Sequence, residues 1–247
     1  NYPLKRREVN LLEVHRVSDL IWNTSSAELI SSGLIEPHGG ILINRYNPEV
    51  EIPDSAFILQ VDKIIAMDVE QIAIGTYSPL EGFVNEQDFY SILANMRLKN
   101  GIPWTIPITL IVNDNIASQL KIGQKIALYE KDNGVFALLE LEDKFVPDKK
   151  EVALKMYGAD SIEHPGVKKL FESGNVFLGG KIILKKRLQS EFKQYELTPL
   201  EVRKIFHERG WTRIVGFHTR NVPHRAHEFI QNYGKEIGKC DGLFVHP

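Results

Sequence analysis

One junction near the C-terminal end limits the architecture open to this chain more than any other feature. An apolar run, Trp211-Thr212-Arg213-Ile214-Val215-Gly216-Phe217, passes at once into His218-Thr219-Arg220-Asn221-Val222-Pro223-His224-Arg225-Ala226-His227-Glu228. The run is rich in β-branched and aromatic residues, which predicts a short buried strand. Beyond it, Ala226, Phe229, Ile230, Tyr233 and Ile237 recur at helical spacing and form one apolar face. His224, His227 and Gln231 point away from that face. Pro223 falls where a first helical turn would begin, since its missing N–H is not needed there. A strand that enters a helix through a polar turn is where α/β proteins hold phosphates, on the free N–H groups of the helix start.

The charges favour the same reading. His224 and His227 are one helical turn apart, so both imidazoles can reach one ligand. Arg220 and Arg225 lie beside a helix N-terminus, where a cation opposes the helix dipole unless an anion is bound. Two plainer alternatives stay open on the residues alone. The histidines can simply be solvated on a polar helix face, or His-x-x-His can chelate zinc. The zinc reading lacks a third ligand nearby, and the chain has a single cysteine, Cys240.

The flanking elements extend the pattern. Thr198-Pro199-Leu200-Glu201 offers an N-cap, a proline at the first helical position and a capping-box glutamate. The helix carries Val202, Ile205 and Phe206 and stops at Gly210. With a closing strand at Gly242-Leu243-Phe244-Val245, the order is α-β-α-β, the opening of a doubly wound parallel sheet. Two strands cannot bury such a sheet on both faces, so more strands are expected beyond Pro247. The first residue is Asn1 rather than Met, which suggests preceding sequence as well.

The first three-quarters of the chain read as β-rich. Strand candidates are Ile108 to Val112, Lys125 to Tyr129 and Val135 to Leu141, separated by turns at Asn113-Asp114-Asn115, Ile122-Gly123 and Asp132-Asn133-Gly134. The last turn has hairpin character. One helix interrupts them: Asn85 caps it, Asp88 completes a capping-box-like pair, Phe89, Ile92, Leu93 and Met96 form its buried stripe, and Gly101 ends it. His38 and His164 sit in turn-like His-Gly-Gly and His-Pro-Gly segments and are expected to bond the backbone. Trp22 and Trp104 are expected in a core or interface. The polar stretch Gln189 to Glu196 marks a boundary, giving domains over 1–192 and 193–247.

With 247 residues the chain can bury one large core or two. A net charge of -2 gives no global reason to expect nucleic acid or a membrane surface, and no apolar stretch is long enough to span a bilayer. A lone cysteine excludes an internal disulfide and suits a reducing compartment, so the cytoplasm is expected.

The string Thr219-Arg220-Asn221 with His224-Arg225-Ala226-His227-Glu228 resembles the signature of the ATP sulfurylase (sulfate adenylyltransferase) family. Pro37-His38-Gly39-Gly40, Tyr77 to Phe83, Trp104 to Ile108, His164 to Val167 and Phe177-Leu178-Gly179-Gly180 resemble segments of that family's N-terminal domain. The resemblance implies an α+β, PUA-like domain followed by the first part of a Rossmann-like α/β nucleotidylyltransferase domain. It implies adenylyl transfer from ATP, as its magnesium complex, to sulfate, giving adenosine 5′-phosphosulfate and pyrophosphate, in a homo-oligomer. It further implies a sulfate site at His218 and Arg220, catalytic roles for Thr219, Arg220 and Asn221, and ATP binding by His218, Thr219, Arg220, Asn221, His224 and His227. His218 stands where the family usually has glutamine, and Val222 where it has proline. Arg225 and Glu228 are expected to form a surface ion pair. The rival readings are another His-x-x-His nucleotidylyltransferase with a different acceptor, and a PUA-like RNA-binding module.

Overall fold

The computed structural model describes residues 33–246; Trp22 lies outside them. The chain divides into two compact units, one over Pro37–Pro199 and one that contains Leu200–Pro247.

The larger unit is built on a six-stranded sheet. Its strands are β1 (Phe57–Gln60), β2 (Gly82–Phe83), β3 (Leu110–Val112), β4 (Lys125–Glu130), β5 (Gly134–Phe145) and β6 (Val176–Leu184). They pair in the order β1-β4-β5-β6-β2, with β3 also on β6, and every pairing is antiparallel except β1 with β4. The Asp132-Asn133-Gly134 turn does join β4 to β5, and Glu130 fixes it by accepting from the Asn133 side chain and from the backbone of Asp132 and Asn133. These bonds hold the Glu130 carboxyl below its usual range.

The glycine pair before Lys181 has a steric purpose. A Cβ on Gly180 would lie 2.1 Å from the Glu140 carbonyl, and one on Gly82 would lie 1.8 Å from the Gly180 carbonyl. Only glycine lets β2, β6 and β5 come this close.

Helices cover the sheet: α1 (Lys63–Ala73), α2 (Glu86–Asn95), α3 (Asp114–Ala117), α4 (Lys149–Tyr157) and α5 (Pro165–Glu172). Ala66, Val69, Ile72 and Ala73 of α1 pack on Ile126, Leu128, Leu139 and Ile182. Phe89 and Ile92 of α2 join Val152, Val167, Leu170, Phe145 and Phe177 in a second cluster.

Asn85 caps α2 as expected, accepting from the Asp88 N–H at 2.9 Å. The far end differs from expectation. The helix stops at Asn95, with Met96 left-handed (φ 54°) and exposed rather than in the buried stripe. Gly101 belongs to the next turn, bonded to Leu98. Asp88 accepts from the Lys99 N–H instead of returning to the cap, so a long-range bond replaces the capping box.

His38 bonds the Pro103 carbonyl at 2.7 Å, and His164 caps α5 by accepting from Gly166 and Val167. Trp104 packs against the second cluster. All three keep the structural roles expected of them.

A 3-10 turn (Lys193–Tyr195) precedes the smaller unit. That unit contains α6 (Pro199–Glu208), β7 (Ile214–His218), α7 (Arg225–Ile237) and β8 (Gly242–His246). Strands β7 and β8 are parallel, so the α-β-α-β order does open a parallel sheet.

Candidate functional site

The register of β7 on β8 decides what meets at the site. Ile214 pairs with Gly242, and four residues on, His218 pairs with His246, so both strands end on an imidazole. Asp241 fixes this register. Its carboxylate accepts from the Thr212 N–H (2.8 Å), the Arg213 N–H (2.9 Å) and the Thr212 hydroxyl (3.1 Å). The two backbone bonds are the main reason that its carboxyl lies below the usual aspartate range. Chain entry to β8 is thereby tied to chain entry to β7.

The turn after β7 is built around Thr219, which is only 9% exposed. Its N–H donates to the His246 carbonyl at 3.0 Å, and its hydroxyl accepts from the Asn221 N–H at 3.1 Å. The hydroxyl is thus occupied locally, in a short side-chain-to-backbone loop. Arg220, at the tip, is exposed and makes no hydrogen bond or ion pair among the described residues. Asn221 is exposed beside it.

The helix opens two residues later than expected. His224 is the N-cap, with extended backbone (φ −137°, ψ 176°), and Arg225, not Pro223, is the first helical residue. The two histidines cap the helix reciprocally: His224 Nδ1 accepts from the Ala226 N–H at 3.3 Å, and the His224 N–H donates to His227 Nδ1 at 3.2 Å. Their ring centroids are 3.9 Å apart. An Nδ1 that accepts a hydrogen bond must present a lone pair, so each neutral ring carries its proton on Nε2. The cap therefore fixes both tautomers and leaves two Nε2–H donors at a helix N-terminus, without any net charge on the rings. His227 also meets the edge of Phe217 at 5.7 Å.

The helix faces the sheet in an unexpected way. Gly234 packs on Val215, and the half-buried stripe is His227, Gln231, Gly234 and Gly238. Phe229 (69% exposed) and Tyr233 (53%) stack on each other on the outside, with Ile230 and Ile237 also exposed. The apolar periodicity marks a real face, but small and polar residues make the contact with β7. The expected ion pair between Arg225 and Glu228 is not formed among the described residues. Both side chains are exposed, where screening by water makes such a pair worth little.

Of the residues singled out from sequence, Thr219 and Asn221 are thus bonded to each other in the turn and His224 and His227 to each other at the helix start, with Arg220 in the turn and His218 on the adjoining strand end. Asp241 and His246 went unrecognised. His246 could have been found by laying Gly242 against Ile214, because a parallel pairing then sets the fifth residues side by side.

A parallel strand end, an ordered turn and a helix start with two imidazoles thus follow one another in the chain, an order of elements that can hold an oxyanion. Comparison with known proteins gives the family. Residues 35–187 match the model of the PUA-like domain, and residues 193–247 match that of ATP-sulfurylase. A sulfate adenylyltransferase of Synechococcus is 45% identical over 225 residues, covering 88% of this chain and 57% of that protein. One of Acaryochloris marina is 42% identical over 220 residues, covering 86% and 56%. A probable bifunctional SAT/APS kinase of Sorangium cellulosum is 43% identical over 222 residues, 87% of this chain and 38% of its own length. Among solved structures, a hexameric APS kinase from Thiobacillus denitrificans superposes with a TM-score of 0.68 at 26% identity, covering 87% of this chain and 39% of that one. The chain belongs to the PUA-like domain family over its larger part and runs on into the ATP-sulfurylase family. It spans a little over half the length of these sulfate adenylyltransferases.

Proposed function

We propose that the whole protein joins sulfate to the α-phosphate of ATP. A sulfate oxygen forms a bond to the α-phosphorus, the bond from that phosphorus to the bridging oxygen breaks, and pyrophosphate leaves. Sulfate is already ionised near neutral pH, so no general base is needed, and catalysis rests on position and charge. The observation that carries this reading is the reciprocal histidine cap, which occupies both Nδ1 atoms and so leaves an Nε2–H donor on each ring at a helix start.

On this proposal His224 and His227 hold the phosphates and the departing pyrophosphate. Arg220 clamps sulfate, because a planar guanidinium offers paired donors to a tetrahedral anion. Asn221 orients phosphoryl oxygens through its amide. Thr219 acts mainly by holding the turn, and His218 contacts sulfate from the strand end. Among the described residues no group of three or more His, Cys, Asp or Glu could hold a metal ion. Magnesium would then arrive on the nucleotide, as part of the substrate.

The proposed catalytic part begins at residue 193, after a PUA-like part over 1–192. Homo-oligomerisation is proposed from the hexameric relative. A cytoplasmic site of action is proposed from the need for ATP; among the described residues no helix is long and apolar enough to cross a membrane.

The test is sulfate-dependent exchange of labelled pyrophosphate into ATP by the full-length protein. Exchange that requires sulfate is expected. Exchange that ignores sulfate but proceeds with another anionic acceptor would instead favour a different nucleotidylyltransferase.

A further inference from the structure

The strand-end imidazoles carry an inference that rests on the functional reading above and sharpens it. His218 Nδ1 lies 3.0 Å from His246 Nδ1 and 3.0 Å from the His246 carbonyl oxygen. The rings are 5.1 Å apart and tilted by 34°. A carbonyl oxygen can only accept, so His218 Nδ1 must be the donor, shared between that oxygen and the lone pair of His246 Nδ1. In neutral His218 the other nitrogen, Nε2, is then a bare lone pair. It cannot donate to an oxyanion and sets negative charge against it.

We propose that His246 is a positioning residue that holds His218 in this tautomer, so that sulfate binding at the strand end takes up one proton. Adding a proton to the pair resolves the conflict in either microstate. If His218 takes it, Nε2 becomes an N–H donor while Nδ1–H keeps both of its acceptors. If His246 takes it at Nδ1, His218 becomes the acceptor there, shifts its own proton to Nε2 and gives up its bond to the His246 carbonyl, which makes this the less favourable of the two states. Either way one positive charge appears in the pair and Nε2 of His218 turns from acceptor to donor. A second proton would set two N–H groups against each other across 3.0 Å. The other charged and titratable groups of the following turn and of the start of α7 are Arg220, His224, Arg225, His227 and Glu228. His224 and His227 already donate from Nε2 while neutral, so their cap supplies no comparable proton switch. A glutamine at position 218 would donate through its amide at every pH. The histidine makes the same contact conditional.

Two readouts on the full-length protein test this. The first is NMR of the imidazole nitrogens without substrate, which reports tautomers directly. Wild type should show neutral His218 protonated on Nδ1, with His218 and His246 sharing one protonation step. In His246→Leu, His218 is free to turn and should recover the Nε2–H form. Two rings that titrate independently, or a neutral His218 already protonated on Nε2, would overturn the proposal.

The second readout is KM for sulfate at saturating ATP, followed from about pH 6 to about pH 9, where imidazoles titrate. One-proton linkage raises KM with a slope approaching tenfold per pH unit on the alkaline side. The rise should be at least about tenfold in all, the worth of one charge-assisted hydrogen bond. His218→Gln and His246→Leu should both flatten it. A rise that survives in His218→Gln overturns the proposal. A wild type with no sulfate-dependent turnover overturns the functional reading and the sulfate-binding half of this inference, while the ring signals still report the pair.

Discussion

The two compact units bury very different amounts of themselves, and the difference separates what folds the chain from what gives it chemistry. In the larger unit, Phe89, Phe136, Leu138, Leu139 and Ile126 are fully enclosed, and each strand contributes to one of two apolar clusters. In the residues after Leu188, no described hydrophobic side chain is buried; the buried side chains there are Lys204 and Thr219. The smaller unit is held by backbone pairing, the Asp241 clamp and the histidine cap, together with half-buried ring contacts of Phe206 on Trp211 and Phe244. The proposed site lies where the burial is poorest. A site that must accept charged ligands needs exposed donors, and these cannot at the same time be covered by a core.

If that separation holds, substitutions in the two units should affect different observables. The largest effect is expected from Arg220→Ala in the full-length protein: sulfate-dependent exchange should fall by about a thousandfold, near the upper end for losing one charge-stabilising donor, with the melting temperature unchanged. Near-normal turnover would break the assignment. Phe89→Ala should do the reverse. It empties a fully buried ring site and should lower stability by about 3 kcal/mol or more in denaturant unfolding, with the site chemistry intact in whatever remains folded. In the 247-residue chain, by contrast, Phe229→Ala removes an equally large ring that is 69% exposed, and the shift should stay within about 0.5 kcal/mol.

How much of this was legible in the sequence follows from the same contrast. Elements defined by their own residues were readable: the Asn85 cap, the Asn133-Gly134 hairpin, the proline at the start of α6, and the strand before His218, although that strand is half-buried to exposed rather than buried as expected. The end of α2 was not, because the left-handed Met96 is followed by a bond from the Lys99 N–H to Asp88, eleven residues apart, which a local string does not announce. The packing of α7 was misleading for a related reason. Phe229, Ile230, Tyr233 and Ile237 announce a buried face, yet Gly234 and His227 approach β7. At the site, residue identities were evident, but their wiring was not. Histidines that cap a helix through Nδ1, and a histidine pair set by strand register, exist only once the chain is folded.

Smaller effects should sharpen the comparison. His224→Ala removes one half of the reciprocal cap and should cost about 1 kcal/mol in the smaller unit, read as fraying of α7 amides in hydrogen exchange, together with a higher KM for ATP. The pH dependence of the strand pairing should follow Asp241. Its folded pKa is depressed, so its stabilising contribution is present above the ordinary aspartate value of 3.8 and is lost as pH falls through the lower, folded value. Protection of β7 and β8 amides should therefore drop on acidification below that point, and Asp241→Asn should remove this dependence.

The account stands on the turn after β7 being a seat for oxyanions, and backbone amide NMR of the full-length protein during sulfate and pyrophosphate titration tests it most directly. Saturable shifts centred on the N–H groups from Arg220 to His227, lost in Arg220→Ala, are the predicted result. Amides that stay still there while others move elsewhere in the molecule would contradict it.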